Sequence, residues 1–223
     1  MSARLLSLNI GRPEPNAAKK VGVTGIGKTP VDSAVLRAPG PKHGGLGSGL
    51  EGDFIGDVRH HGGDQQAVYA FAREELDRWE ERLGRPLAAG LFGENLTTAG
   101  LDVDGALLGE RWAVGHEVVL EVCGPRIPCA TFQARMGEKG WVRRFTEVGR
   151  SGAYLAVVTG GTVRSGDAIE VVSRPDHDVD VVVAFRAFTG DLDAARRVLD
   201  ADALTGPDAD ELREVVERRT ARS

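Results

Sequence analysis

Hydrophobic positions in the first part of the chain follow no sustained period. Residues 1–65 are broken at short intervals by Gly and Pro, which predicts short strands joined by ordered loops. Regular signals begin after them. Gln66–Phe71 reads as a strand, and Glu74–Leu83 as a helix with Leu76, Trp79 and Leu83 spaced i, i+3, i+7 on one face. Gly84 follows as a residue suited to a left-handed helix end.

From Leu107 to Val172 the pattern is that of strands. Val118, Leu120 and Val122 alternate within Glu117–Val122, Tyr154–Val158 is continuously apolar, and Ala168–Val172 follows the turn-like Ser165-Gly166-Asp167. Val179, Val181, Val183 and Phe185 alternate once more and predict a further strand. After Thr189-Gly190 the period lengthens. Leu192, Ala195 and Leu199 mark one amphipathic helix; Leu212, Val215 and Val216 mark a second, with Pro207 near its start. The expectation is a mainly β fold, a barrel or sandwich over residues 1–189, with a helical extension over 190–223 packed on it.

The 223 residues suffice for one large core without staples. Two cysteines, Cys123 and Cys129, supply neither a disulfide framework nor a four-ligand zinc site, and their spacing is not C-x-x-C; a reducing cytoplasm is the natural setting. The N-terminal apolar run is too short for a signal-peptide core, and no stretch approaches the ~20 apolar residues of a membrane span, so no membrane partner is expected. A net charge of −5 and 5% aromatic residues argue against a nucleic-acid surface and leave small molecules as partners. The 30 glycines fit many tight turns between strands.

The segment Gly124-Pro125-Arg126-Ile127-Pro128-Cys129 carries the clearest chemistry. Two prolines fix φ, so the segment is expected to leave the preceding strand as a stiff loop rather than extend it. Arg126 places a cation near the Cys129 sulfur, which favours thiolate, the form that attacks electrophiles and binds metals. A buried structural cysteine is the alternative.

Two phosphate-binding patterns fail on context. Gly22–Thr29 matches G-x-x-x-x-G-K-[ST], but prolines precede it and Pro30 follows at once, so no strand and helix frame a phosphate; Lys28 remains a possible phosphate charge. Gly47-Ser48-Gly49-Leu50-Glu51-Gly52 matches G-x-G-x-x-G without a surrounding βαβ unit. In Arg59-His60-His61-Gly62-Gly63-Asp64 the paired glycines permit positive φ and close approach to a ligand. Adjacent His60 and His61 point apart in extended backbone, so one can face a pocket while the other packs. Glu94 and Asn95 set a carboxylate beside an amide, a pair able to read a heterocycle edge, and Arg143 and Arg144 beside Trp141 and Phe145 suit an anion.

Taken in order, His61-Gly62-Gly63-Asp64, Phe92-Gly93-Glu94-Asn95-Leu96, Pro125–Cys129 and Gly140-Trp141 resemble the MOSC domain family, named for the C-terminal domain of molybdenum cofactor sulfurases. Gly52-Asp53, Gly22–Val31 and Thr97-Thr98 followed by Gly100-Leu101 resemble its stand-alone bacterial YiiM-like branch. The resemblance implies a β-barrel-like fold of the pyruvate-kinase-barrel type and binding of the molybdenum cofactor (Mo-molybdopterin). It implies Cys129 as metal ligand or sulfur carrier, with His61 and Asp64 as catalytic candidates beside it. Around the cofactor it suggests Gly62, Gly63, Glu94, Asn95 and Arg126, with Lys28, Arg143 and Arg144 for the phosphate. Two activities follow from the family: a molybdenum-dependent oxidoreductase that reduces N-hydroxylated compounds such as N-hydroxylaminopurines with a separate electron-donating reductase, or a non-redox carrier of the cofactor or of a persulfide on Cys129.

Overall fold

A computed structural model describes residues 2–204 and 206–220. Five short strands open the chain: β1 (Arg4–Gly11), β2 (Glu14–Pro15), β3 (Val23–Thr24), β4 (Lys28–Val31) and β5 (Ser33–Leu36). A 3-10 turn at Asp64–Gln66 leads into β6 (Val68–Ala72), α1 (Arg73–Leu83) and β7 (Leu96–Ala99). Next come β8 (Arg111–Val114), β9 (Val118–Pro125), α2 (Ala130–Met136) and α3 (Trp141–Val148). β10 (Ala153–Thr159), β11 (Gly161–Arg164) and β12 (Ile169–Ser173) complete the strands, followed by α4 (Val181–Phe188), α5 (Leu192–Asp200) and α6 (Pro207–Thr220). Residues 205 and 221–223 of the expected 190–223 extension lie outside the described residues.

Eight strands form one mixed sheet in the order β12-β8-β9-β10-β6-β7-β1-β4, with β5 and β11 paired beside it. Its neighbours are antiparallel except β6 and β7, which run parallel because α1 crosses between them. The sheet curls. Leu5 donates to the Asp167 carbonyl at 2.8 Å, Gly166 to Leu5 at 2.7 Å and Ile169 to Ala3 at 3.0 Å, so the start of β1 meets the approach to β12. β12 and β4 are the two ends of the strand order, and an isolated bridge between Arg4 and Ala168 takes the place of a closing ladder among the described residues, so the expected barrel is an open, curled sheet here.

Three local expectations also change. The run from Val179 to Phe185 is not a strand: Val181–Phe188 is helix α4, started by Asp180, whose carboxylate accepts the Val183 N–H at 2.7 Å. A short apolar run satisfies both periods, since Val181, Ala184, Phe185 and Phe188 also stand at i, i+3, i+4 and i+7. Within the region read as strands lie α2 and α3, which seat Phe132 and Met136, and Trp141 and Phe145, one turn apart in an aromatic core. Finally, β9 runs past Val122 to Pro125, which pairs with Ala153 as the last rung, a position where a proline is tolerated.

β6 is buried along its whole length because cores lie on both its faces. On one side is an aliphatic core that includes Leu5, Leu8, Val68, Ala70, Leu120 and Leu155. On the other, Phe71, Trp79, Phe92, Phe132, Trp141 and Phe145 form an aromatic cluster, with Trp79 and Trp141 centroids 4.6 Å apart. Edge-to-face contacts such as Phe132 against Trp141 at 5.2 Å add specific attraction to the burial. This cluster backs the wall on which the candidate site is built.

Candidate functional site

The loop that ends in Cys129 is aimed by a β-bulge. Tyr154 stands opposite Gly124 while its neighbour Leu155 stands opposite Val122, leaving Cys123 as the extra residue of β9. Cys123 stays in the strand region; burial pushes its thiol up to about 12, so it is neutral and unreactive. Cys129 is half-buried and begins α2 with extended backbone. Between them Arg126 is only 4 % exposed. Its guanidinium lies 3.7 Å over the Phe132 ring and 5.8 Å from that of Tyr69, and its Nη1 has no hydrogen-bond partner among the described residues. A planar cation clamped on aromatic faces, with one buried donor unspent, is poised for an acceptor on a ligand.

The floor is organised by Asp53. One carboxylate oxygen accepts from the Gly11 N–H at 2.7 Å and from Lys28 Nζ at 2.5 Å; the other accepts from Ser48 Oγ at 2.8 Å and Asn95 Nδ2 at 2.9 Å. The side chain is 1 % exposed, and such a charge persists only with a paired cation and its lone pairs filled. Asn95 is oriented on both sides, because its Oδ1 accepts the Tyr69 N–H at 3.2 Å. Glu94 faces away into the wall. Its carboxylate accepts from the N–H groups of Gly90 and Phe92 and from Thr97 Oγ1, while burial raises its pKa.

The opposite wall is the turn at Asp57–Gly63. Burial would raise the Asp57 pKa, but Lys19 at 2.7 Å and His60 at 3.0 Å hold it at about 2. The Asp57 carbonyl accepts the His61 N–H at 3.0 Å, and His61 lines both cavities. Burial, then the cations of Arg126 and Lys19, lower the His61 pKa to about 4; the ring is neutral at pH 7 and serves as donor, acceptor or ligand rather than as a cation. Gly62 has φ +84°, and a Cβ there would stand 2.6 Å from the Gly47 carbonyl oxygen, so the turn closes only with glycine.

Two adjoining cavities result. The first is a half-open cleft of about 690 Å³, its mouth included, lined by Lys28, Asp53, Asn95, Tyr69 and Arg126, among others. The second is a half-open cleft of about 1230 Å³, its mouth included, and opens beside α6. They share Cys129, His61, Gln66 and Tyr154. The thiol therefore stands on the boundary between two spaces.

The structure brings together Lys28, His61, Gly62, Asn95, Arg126 and Cys129 from the sequence candidates. Lys28 is committed to Asp53. Gly63 and Glu94 support the walls from behind, and Asp64 accepts the Gly40 N–H at 2.8 Å on the exterior. Arg143, 84 % exposed and paired with Glu147, and Arg144, paired with Glu138, lie on the outer side of α3 away from both cavities. Sequence reasoning did not reach Asp53, Gln66, Tyr69 and Tyr154 as site residues. Asp53 had one signal, its place after Gly52 in a glycine-dense loop; the two tyrosines are the only ones in the chain but sit inside ordinary strand patterns.

Comparison with known proteins places this arrangement. Residues 57–170 match the family model of the MOSC domain. The chain is 35% identical over 206 residues to the uncharacterized protein YflK of Bacillus subtilis, covering 90% of this chain and 89% of that protein. It is 30% identical over 118 residues to a protein named reductase from Gibberella moniliformis, covering 52% of this chain and 21% of that longer protein. Among solved structures, YiiM from Geobacillus stearothermophilus superposes with a TM-score of 0.75 at 25% identity, covering 96% of this chain and 99% of that one. The chain belongs to the MOSC domain family, and its fold is that of YiiM.

Proposed function

We propose that the first cavity binds the molybdenum cofactor with Cys129 as its protein ligand, and that the second admits an N-hydroxylated compound for reduction. One observation carries this reading: the Cys129 thiol stands where the two cavities meet, so a group held in one is presented to a molecule in the other. The residues fit the cofactor. A thiolate is a soft donor suited to a redox metal, the half-buried Phe54 lines the cavity with an aromatic ring, and the unpartnered Nη1 of Arg126 awaits an acceptor. No group of three or more His, Cys, Asp or Glu side chains converges among the described residues, which suits a metal that arrives with its own ligands and takes one more from the protein.

When bound, the cofactor supplies the two electrons that cleave the N–O bond, with two protons converting R₂N–OH to R₂NH and water. The chain's own part is positional. Arg126 and Asn95 hold the ligand edge, the neutral His61 ring offers a hydrogen bond at the boundary, and Tyr154 narrows it. Two cysteines are too few for an iron–sulfur cluster, so a separate reductase of unassigned identity supplies the electrons.

The test is expression in a host that makes the cofactor, measurement of bound molybdenum and pterin, and assay of N-hydroxylaminopurine reduction with an artificial electron donor. Stoichiometric metal and Cys129-dependent turnover are expected. Metal-free protein without turnover overturns the reading. Protein that instead carries a labile extra mass of about 32 Da on Cys129, one sulfur atom, is a persulfide carrier.

A further inference from the structure

The ion pair of Lys19 with Asp57 crosses the site, for Asp57 lines the first cavity and Lys19 the second. The Lys19 cation stands near enough to His61 to help lower its pKa, and His61, like Cys129, is shared by both cavities. Lys19 belongs to residues 17–22, the largely exposed turn that joins β2 to β3. Three hydrogen bonds close that turn on itself: Asn16 N–H to the Gly22 carbonyl, Gly22 N–H to the Lys19 carbonyl and Ala18 N–H to Asn16 Oδ1, each at 3.0 Å. Among the described residues, the bond from Lys19 to Asp57 at 2.7 Å is the only hydrogen bond or ion pair that ties residues 17–22 to a segment beyond the hairpin.

Both ends of the turn are fixed. Asn16, 7 % exposed, donates from Nδ2 to Oγ1 of Thr131 at 3.0 Å, two residues beyond Cys129. Val23 is packed against the 54–56 segment so closely that a Cβ on Gly56 would stand 2.3 Å from its carbonyl oxygen. The tie in the middle is of another kind. The Lys19 and Asp57 side chains are 24 % and 15 % exposed, and an ion pair within reach of solvent contributes little and weakens with salt. A short exposed segment with fixed ends and one weak fastening is the part of a wall that opens first. Asp57 does not move with it, since its carbonyl accepts the His60 and His61 N–H groups at 3.2 and 3.0 Å.

We propose that residues 17–22 form a flap at the boundary where Cys129 stands, fastened by Lys19 on Asp57, and that release of this one ion pair sets the size of molecule that reaches the thiol. With the pair made, the Lys19 side chain bridges two walls of the site. With it broken, the turn swings outward on Asn16 and Val23. Small molecules pass in either state, whereas a broad flat one passes only in the open state. The proposal concerns access, so it holds whatever group Cys129 carries.

The test is alkylation of Cys129 in the cofactor-free full chain at pH 7.5 by N-ethylmaleimide and by N-(1-pyrenyl)maleimide, two neutral reagents with the same reactive ring and different breadth. Peptide mass spectrometry assigns the modified residue, and Cys123, whose thiol burial keeps neutral, does not compete. The ratio of the two rates, pyrenyl over ethyl, cancels any change in thiolate fraction when the Lys19 charge is removed. In the wild type at low salt this ratio is expected to lie below that of glutathione. In Lys19→Met it rises about three- to fivefold, the size of effect that loss of an exposed ion pair gives. Salt at about 1 M raises the wild-type ratio in the same direction and leaves that of the variant unchanged. A ratio equal in wild type and variant at low salt overturns the proposal; should the variant fail to fold, a wild-type ratio that salt does not move overturns it. The measurement uses neither metal nor substrate, so its failure leaves the cofactor reading standing, and metal-free protein without turnover leaves this one standing.

Discussion

The guanidinium of Arg126 lies 3.7 Å above the ring of Phe132, the first aromatic residue of the helix that Cys129 begins. That contact couples the cation to the thiol: both ride on the same loop and first turn, and the ring holds the cation in plane while leaving Nη1 free. Arg126→Lys therefore keeps the charge but loses both the stacking and the fixed donor. Molybdenum content per chain is expected to fall at least about tenfold in this variant, with far-UV circular dichroism unchanged. Full metal occupancy in the lysine variant would show that the planar donor is not used.

Asp53 joins four donors from four separate stretches of chain. Its replacement by Asn removes the partner of Lys28, whose side chain is 7 % exposed, and leaves a buried charge unpaired. Breaking a buried pair in this way costs about 3–5 kcal/mol. Urea unfolding is expected to show a loss of that size, whereas Lys28→Met/Asp53→Asn together loses less than Asp53→Asn alone. A double variant no more stable than the single one counts against the pair as the source.

Stability against pH should separate two buried groups with opposite slopes. His61 titrates at about 4 in the folded chain against 6.5 ordinarily, so between those values the unfolded chain binds the extra proton, and folding weakens as pH falls from 6.5 toward 4 by up to about 3 kcal/mol. Asp104, 0 % exposed, is raised by burial from 3.8 to about 6. Here the folded chain holds the extra proton, so its contribution weakens as pH rises from 3.8 toward 6. The two largely cancel between pH 4 and 6. Denaturant midpoints of His61→Gln should therefore fall as pH rises through that window, and those of Asp104→Asn should rise, each measured against the flatter wild type.

Asp104→Asn should also gain stability at neutral pH. The carboxylate accepts one N–H, from Gly152 at 2.9 Å, while Oδ2 has no hydrogen bond among the described residues and Arg150 Nε is 3.8 Å away. An amide keeps the Gly152 bond and removes the desolvated charge. A thermal midpoint raised at pH 7.5 and equal to wild type at pH 4 is expected; a lowered midpoint at pH 7.5 would mean that Arg150 outweighs burial.

Phe92 touches Phe71, Phe132, Trp141 and Phe145 with centroids between 5.1 and 6.1 Å and is 0 % exposed. Phe92→Ala should cost about 3–5 kcal/mol by opening a void in the cluster that backs the site. Chemical denaturation reads this directly. A cost below about 1 kcal/mol would mean that the cluster collapses around the gap.

Elements with one unambiguous period were legible in the sequence. Helix α1 was found to within one residue because its apolar stripe and Gly84 agree, and α5 and α6 were anticipated from their apolar stripes. The failures have a common cause. Val181–Phe188 is apolar nearly throughout and gives no period to choose by, and α2 and α3 are only two turns long, so their Phe132/Met136 and Trp141/Phe145 pairs are faint beside the surrounding strands. At the site, residues whose role is local were visible: the Pro125–Cys129 loop and the Gly62 turn announce themselves by residue type. Asp53 and Tyr154 were not, because their importance lies in partners remote in sequence. Arg143 and Arg144 looked like an anion site because sequence shows charge but not which side of a helix carries it.

The Tyr69 hydroxyl donates to the Ser151 carbonyl at 2.7 Å, a bond that spans 82 residues, and β10 lies between β6 and β9 in the sheet. During synthesis, therefore, the segments that carry His61, Asn95 and Cys129 are all made before the strand that brackets them. The pocket is a late product of folding, and long-range pairing of this kind is slow. Loading of any ligand must wait until β10 has been made and paired between β6 and β9.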